Sequence, residues 1–330
     1  MIKSLLATIS LLFFSVGFCQ DKLVEQANKK MDAGDFDSAM KLYNQAISEH
    51  PNDHELYVLR GNAFEQMSQP QQAFDDFTTS IALEPKNPKA FMQRGLFLLH
   101  SGYPEQALED VENGLKFVGN DAKLRNLLWL TRGDSHLAMQ NPDEAYKNFI
   151  LVLDSKPETA VDIAAHLGVA RALSNQHKHD QAVIYLEKLV KLYPDFESGY
   201  VNLVFQLSEA GNYKRAIEVS DNAIEMAKKR KKSKVDKVVE NDKSESIAML
   251  YNNRGYAKYK AGDLKGALID IDSSISLSPT NSYAFRNRAL VNIASGKIAL
   301  ACADIEKALK LGFSESYGDE VTKLKATNCH

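Results

Sequence analysis

The chain has 330 residues, 44% of them hydrophobic and 25% charged, with a formal net charge of −3. That mix excludes a disordered chain and a membrane-embedded bundle, and its charge gives no global attraction to nucleic acid. The length allows two globular domains or one repeat array, and the abundance of helix formers favours an all-α fold. The opening MIKSLLATISLLFFSVGFCQ reads as an export signal. Lys3 supplies the positive start, Leu5 to Phe18 the apolar centre, and Gly17 and Cys19 the small residues before a cut ahead of Gln20. The apolar run falls short of the roughly 20 residues that a spanning helix needs. Phe18 is too bulky to precede a lipidated cysteine, so simple removal of residues 1–19 is favoured over acylation of Cys19. The expected location is the periplasm, the cell surface or the medium.

From Asp21 onward the chain repeats one grammar, clearest from Tyr251 to Pro279. Two apolar-periodic helical runs flank the turn Ala261-Gly262-Asp263, Gly255 marks a close helix approach, and Pro279 ends the second run. One such hairpin cannot bury both of its faces, so stacked neighbours are required. The alanine opening each second helix recurs as Ala39, Ala73, Ala107, Ala145, Ala182, Ala216, Ala267 and Ala301, at intervals of 34, 34, 38, 37, 34, 51 and 34.

Trp129, Gly133, Ala145, Phe149 and Pro157 form one pattern of large, small, alanine, aromatic and proline positions; Tyr57, Gly61, Phe64, Ala73, Phe77 and Pro85 form another. Together with the 34-residue interval, these resemble the tetratricopeptide repeat. The resemblance covers Asp21 to Gly312 and implies a right-handed superhelical solenoid of eight helix–turn–helix repeats. It also implies a noncatalytic scaffold that holds a protein or peptide in an inner groove. Repeats 1–6 are expected over 20–227 and repeats 7–8 over 246–312, separated by a basic helical extension or linker at 228–245. A capping helix over 313–330, with Val321 and Leu324 as its apolar stripe, would cover the last hairpin. The departures are Gly119 in place of a closing proline, extra residues before Trp129 and before His166, and no closing proline in the sixth unit.

Arg60, Arg94, Arg132, Arg254 and Arg288 precede the small position, and sixteen residues later stand Asp76, Asp110, Asn148, Asp270 and Asp304. Units without the arginine carry Leu42, Tyr185 and Val219 there instead. The joint change points to structural ion pairs rather than a row of anion sites. Asn202, Asn253 and Asn287 recur at a position that in the family faces the groove. A ladder of amides there could read an extended backbone, with Phe205, Tyr256 and Tyr259 adding apolar area. The family's carboxylate clamp is not expected: Asn28 and Lys89 fit it, but Val24, Leu59 and Gln93 do not.

The run Lys228, Lys229, Arg230, Lys231, Lys232 and Lys234 reads either as a solvated helix extension or as a landing strip for an anionic partner, such as an envelope component. On the second view the protein is a structural subunit tethered to the envelope. His177 and His179, with His166 one helix back, lack the ligand spacing of a metal centre. No phosphate loop, serine elbow or zinc-protease motif is present, so neither catalysis nor a cofactor is expected. Cys302 and Cys329 remain after signal removal. An antiparallel cap helix would return Cys329 to the start of the last second helix, which predicts a disulfide; two free thiols are the competing expectation.

Overall fold

The computed structural model describes residues 22–230, 237–314 and 318–329, with the backbone alone for residue 230 and residues 237–244. The export-signal reading of 1–19, and Lys231, Lys232 and Lys234 of the basic run, lie outside the described residues. The described residues are mostly helical, with no strand among them. Eight helix pairs follow one another: α1 (Lys22–Asp32) and α2 (Phe36–Glu49), α3 (His54–Gln66) and α4 (Pro70–Leu83), α5 (Pro88–His100) and α6 (Pro104–Phe117), α7 (Ala122–Ala138) and α8 (Pro142–Asp154). Then come α9 (Thr159–Asn175) and α10 (His179–Leu192), α11 (Glu197–Glu209) and α12 (Tyr213–Arg230), α13 (Lys237–Lys260) and α14 (Leu264–Leu277), and α15 (Ser282–Ala294) and α16 (Ile298–Lys310). A last helix, α17 (Glu320–Asn328), closes the series. None of these helices is long and apolar enough to cross a membrane.

The chain divides into two compact units, residues 1–172 and 173–330, with the boundary inside α9. Both are built by the same local chemistry. Asp53, Asn87, Asp121 and Asn281 cap first helices by accepting a backbone N–H. Pro70, Pro104 and Pro142 open second helices, where the missing N–H costs nothing. All eight marker alanines are fully buried, because any larger side chain would push the two helices of a hairpin apart. Packing against the small position is tight. A Cβ on Gly61 would meet the Phe77 ring at 2.7 Å, and one on Gly255 would meet Ile271 at 2.6 Å. Phe149 is wedged between Gly133 and Gly168, at 2.6 Å from a Cβ on either.

The seventh hairpin was expected to begin at about Ser246, but its first helix already starts at Lys237. The fifteen residues Lys237 to Tyr251 contain neither proline nor glycine, so nothing in them stops a helix from starting early. The described helix of the cap runs over Glu320–Asn328, and residues 313 and 314 are helical before it. Val321 is fully buried in it, against Phe285, Ile305, Ala308 and Phe313.

Candidate functional site

Within each unit the first helices of successive hairpins touch one another: α3 meets α5 and α5 meets α7 in one, α11 meets α13 and α13 meets α15 in the other. Successive second helices make no comparable contact. The first helices therefore form the inner side of each unit, and the sequence-predicted groove residues lie on those of the second.

A relay of amides crosses that side. Arg286 Nη1 donates to Asn287 Oδ1 at 2.7 Å, Asn287 Nδ2 to Asn252 Oδ1 at 2.9 Å, Asn252 Nδ2 to Asn253 Oδ1 at 3.1 Å, and Asn253 Nδ2 to the Val201 carbonyl at 3.1 Å. Asn253 and Asn287 are thus brought together, but through Asn252, which the sequence reading did not single out. Asn287 is only 1% exposed, so its amide orients its neighbours and has no face left for a ligand. The sequence ladder places it in contact with a bound segment; its burial, with its amide engaged by Arg286 and Asn252, corrects that. Asn202 stands outside the relay, half-buried, and donates to the Ser198 carbonyl of its own helix at 2.8 Å.

Phe205, Tyr256 and Tyr259 are half-buried, and the two tyrosine rings lie 6.3 Å apart. Lys260 Nζ stands 6.0 Å from the Tyr256 ring and the Arg286 guanidinium 5.4 Å from it. Burial first, and the charge of Glu209 next, push the Tyr256 phenol up to about 12, so it remains a neutral hydroxyl. Arg286 also covers the Tyr283 ring at 5.4 Å and is held by the Glu320 carboxylate of α17. Burial works against its charge, yet Glu320 and the surrounding groups hold its pKa above the ordinary value.

The arginine pairs join two successive hairpins. Arg60, Arg94, Arg254 and Arg288 each grip the aspartate sixteen residues on, at 2.7 Å for Arg60–Asp76, 2.7 Å for Arg94–Asp110, 2.5 Å for Arg254–Asp270 and 2.7 Å for Arg288–Asp304. Each Nη1 then reaches back to the preceding hairpin, to Asn44, Thr78, Asp221 and Asp272 in turn. The fifth expected pair is corrected: Arg132 meets Glu112 of the preceding hairpin at 2.7 Å, not Asn148. A neutral amide attracts a guanidinium less than a carboxylate does, and Asn148 instead donates to the Glu144 carbonyl at 2.8 Å.

Of the basic run, Lys229 pairs with Glu225 at 2.7 Å, and Lys228 lies 5.4 Å from the Tyr251 ring centroid. His179 Nδ1 meets Gln206 Oε1 at 2.9 Å, while His166 is fully buried with Nδ1 donating to the Asp162 carbonyl. Among the described residues no three metal-type ligands gather. Of the two clamp-like residues, Asn28 accepts from the Tyr43 hydroxyl at 2.5 Å and Lys89 stands 3.8 Å from Glu55. Cys302 and Cys329 stand in disulfide geometry, with their Cα atoms 5.7 Å apart.

The sequence pattern of the tetratricopeptide repeat matches residues 24–77 and again 164–195. The human "Tetratricopeptide repeat protein 28" is 30% identical over 175 residues, which span 51% of this chain and 7% of that protein. A "Small glutamine-rich tetratricopeptide repeat-containing protein 2" of Mycosarcoma maydis is 32% identical over 96 residues, covering 29% of this chain and 27% of that protein. The chain thus spans less than a third of either relative. Among solved structures, a tetratricopeptide repeat protein from Parabacteroides merdae superposes with a TM-score of 0.55 at 18% identity, over 92% of this chain and 98% of that one. Yeast Tom70 does so with a TM-score of 0.60 at 15% identity, over 99% of this chain and 69% of that one. At such identities the two structures establish the fold alone, which agrees with the all-α helix pairs, the marker alanines and the 34-residue interval. Residues 24–77 and 164–195 thus carry the tetratricopeptide repeat, and the helix pairs of the chain share its fold.

Proposed function

We propose that the protein is a noncatalytic scaffold that holds an extended segment of a partner protein against the first helices α11, α13 and α15. The observation that carries this reading is the pair of half-buried rings Tyr256 and Tyr259, 6.3 Å apart, with Tyr256 against Arg286 at the start of the hydrogen-bonded amide relay. Rings fixed in advance lose little freedom on binding, and nearby amides can pair with a peptide backbone. Asn202 and Asn253 are the two amides of the predicted ladder placed to take part, while Asn287 supports them. The opening signal-like sequence and the paired cysteines support export to a periplasm or cell surface, where an oxidised pair persists.

The test is capture from envelope extract, followed by titration of the captured segment against the purified chain. Asn202→Ala, Asn253→Ala and Tyr259→Ser combined should weaken binding by about ten-fold or more, the sum of several contacts of about 0.5–1.5 kcal/mol each. The helical content should stay nearly constant. Unchanged affinity in the triple variant rejects the inner face as the binding surface.

A further inference from the structure

The sixth hairpin departs from the five proline-closed hairpins in a way that the inner surface does not use. Twelve residues after the marker alanine stand Pro51, Pro85, Pro157, Pro194 and Pro279, but in the sixth hairpin that position is Lys228. Proline there has no N–H to continue the helix. Lysine lets α12 run on to Arg230, and the extra turn becomes a wall of a cavity of about 510 Å³. Ile247, Tyr251 and Leu277 give the cavity an apolar lining, Ser276 adds a hydroxyl, and Lys228 and Asp272 stand at its polar side.

The second hairpin shows what the ordinary arrangement does with the same place. Tyr57 stands sixteen residues before its marker alanine, as Tyr251 does before its own. The Tyr57 hydroxyl donates to the Pro51 carbonyl at 3.0 Å, so the ring closes over the chain. Both rings have the arginine three residues on beside them, Arg60 at 5.7 Å and Arg254 at 5.2 Å from the centroid, but Tyr251 also has the Lys228 ammonium 5.4 Å away. The neighbouring acids are already engaged: Asp272 with Arg288 at 2.7 Å, Glu225 with Lys229 at 2.7 Å, and Asp221 with Arg254 at 2.5 Å. Lys228 has no carboxylate partner among the described residues. An apolar cavity beside an unneutralised ammonium has a definite complement.

We propose that this cavity is a docking site for an acidic segment of a partner protein, with an apolar side chain entering between Ile247, Tyr251 and Leu277 and an adjacent carboxylate meeting Lys228. Charge complementarity selects an acidic occupant. The apolar lining selects an anchored side chain over a bare polyanion, since burying such a group supplies affinity that a solvated charge pair does not. This site is separate from the inner face, so either can fail without the other.

Fluorescence anisotropy with the purified chain decides it, using the labelled peptide EDELFDEDG as the probe. Two altered probes, QNQLFNQNG without the charges and EDESSDEDG without the anchor, should each bind about ten-fold more weakly or worse. Lys228→Glu and the cavity-filling Ser276→Trp should each produce a similar loss at an unchanged melting midpoint. Asn202→Ala with Asn253→Ala, on the inner face, should have no effect. Equal affinity for EDESSDEDG would reduce the site to charge attraction and overturn it, as would undiminished binding by Lys228→Glu or Ser276→Trp. Loss of the probe in the inner-face variant overturns it by placing the peptide elsewhere. Binding of phosphatidylglycerol vesicles without binding of the peptide overturns it in favour of a membrane surface, and no binding of EDELFDEDG at all overturns it outright.

Discussion

Arg132 and Asn148 show what the other arginine pairs supply. In the seventh and eighth hairpins one guanidinium serves two carboxylates: Arg254 holds Asp270 and Asp221, and Arg288 holds Asp304 and Asp272. In the fourth, Glu112 stands at the position of Asp221 and Asp272, but Asn148 replaces the aspartate. Arg132 Nε, His136 Nδ1 and Asn148 Oδ1 are left buried without a hydrogen-bond partner among the described residues. Burial, and after it the charge of Arg132, pull the His136 pKa below its ordinary value, so an imidazolium does not make up the deficit at neutral pH. Asn148→Asp should rebuild the two-carboxylate arrangement and stabilise the protein by about 1.5–3 kcal/mol, the range of a hydrogen bond to a charged group. The urea midpoint should rise with an unchanged m-value. A midpoint that stays or falls would mean that desolvating the new carboxylate outweighs its bond to Arg132.

Each hairpin turns on a single left-handed residue five positions before its marker alanine. Five are glycine, with φ of 74° at Gly34, 86° at Gly102, 79° at Gly211, 89° at Gly262 and 71° at Gly296. Ser68, Gln140 and His177 adopt the same turn at 57°, 59° and 57°. A side chain in that region costs about 1–2 kcal/mol through its Cβ, part of which glycine gives back as unfolded-state entropy. Gln140→Gly should therefore raise stability by about 0.5–1 kcal/mol, read as a higher urea midpoint; a fall would show that the Gln140 side chain contributes more than its backbone strain costs. The same three turns explain part of what the sequence could and could not convey. The interval of 34, the buried alanines and the Arg–Asp correlation were legible because each repeats at fixed spacing and each is forced by helix contact. A left-handed turn without glycine leaves no such mark. Neither does the reach of Arg60 back to Asn44, or of Arg132 to Glu112, because those contacts join different hairpins whose relative register emerges only on packing. Asn252 escaped for a related reason. It looks like one more polar residue on a half-solvated helix until Asn287 and Asn253 are seen on either side of it.

In an array whose hairpins touch mainly their neighbours, stability is close to a sum of local terms, and the ends carry the exposed apolar faces. The second unit closes its end with α17, whose Val321 and Leu324 pack on the cluster of Phe285, Ile305, Ala308 and Phe313. Nine residues of helix bury too little to hold themselves there, and the chain fixes both ends of it. Glu320 at its start is held by Arg286, the residue that also begins the inner-face relay, and Cys329 at its end meets Cys302 on α16. The cysteines close a loop with a sequence separation of 27. A crosslink of that length restricts the unfolded chain by about 3–4 kcal/mol in the chain-entropy model. Because coupling decays from hairpin to hairpin, the effect should be local. After intact-mass analysis has confirmed the bond in protein produced by export, hydrogen exchange is measured with and without reductant. Amides of α15, α16 and α17 should lose protection on reduction, while those of α2 to α8 keep theirs. Unchanged exchange in the reduced protein would assign the cap to packing and the Arg286–Glu320 pair alone. An equal loss in both units would show cooperativity reaching far beyond neighbouring hairpins, against the nearest-neighbour account.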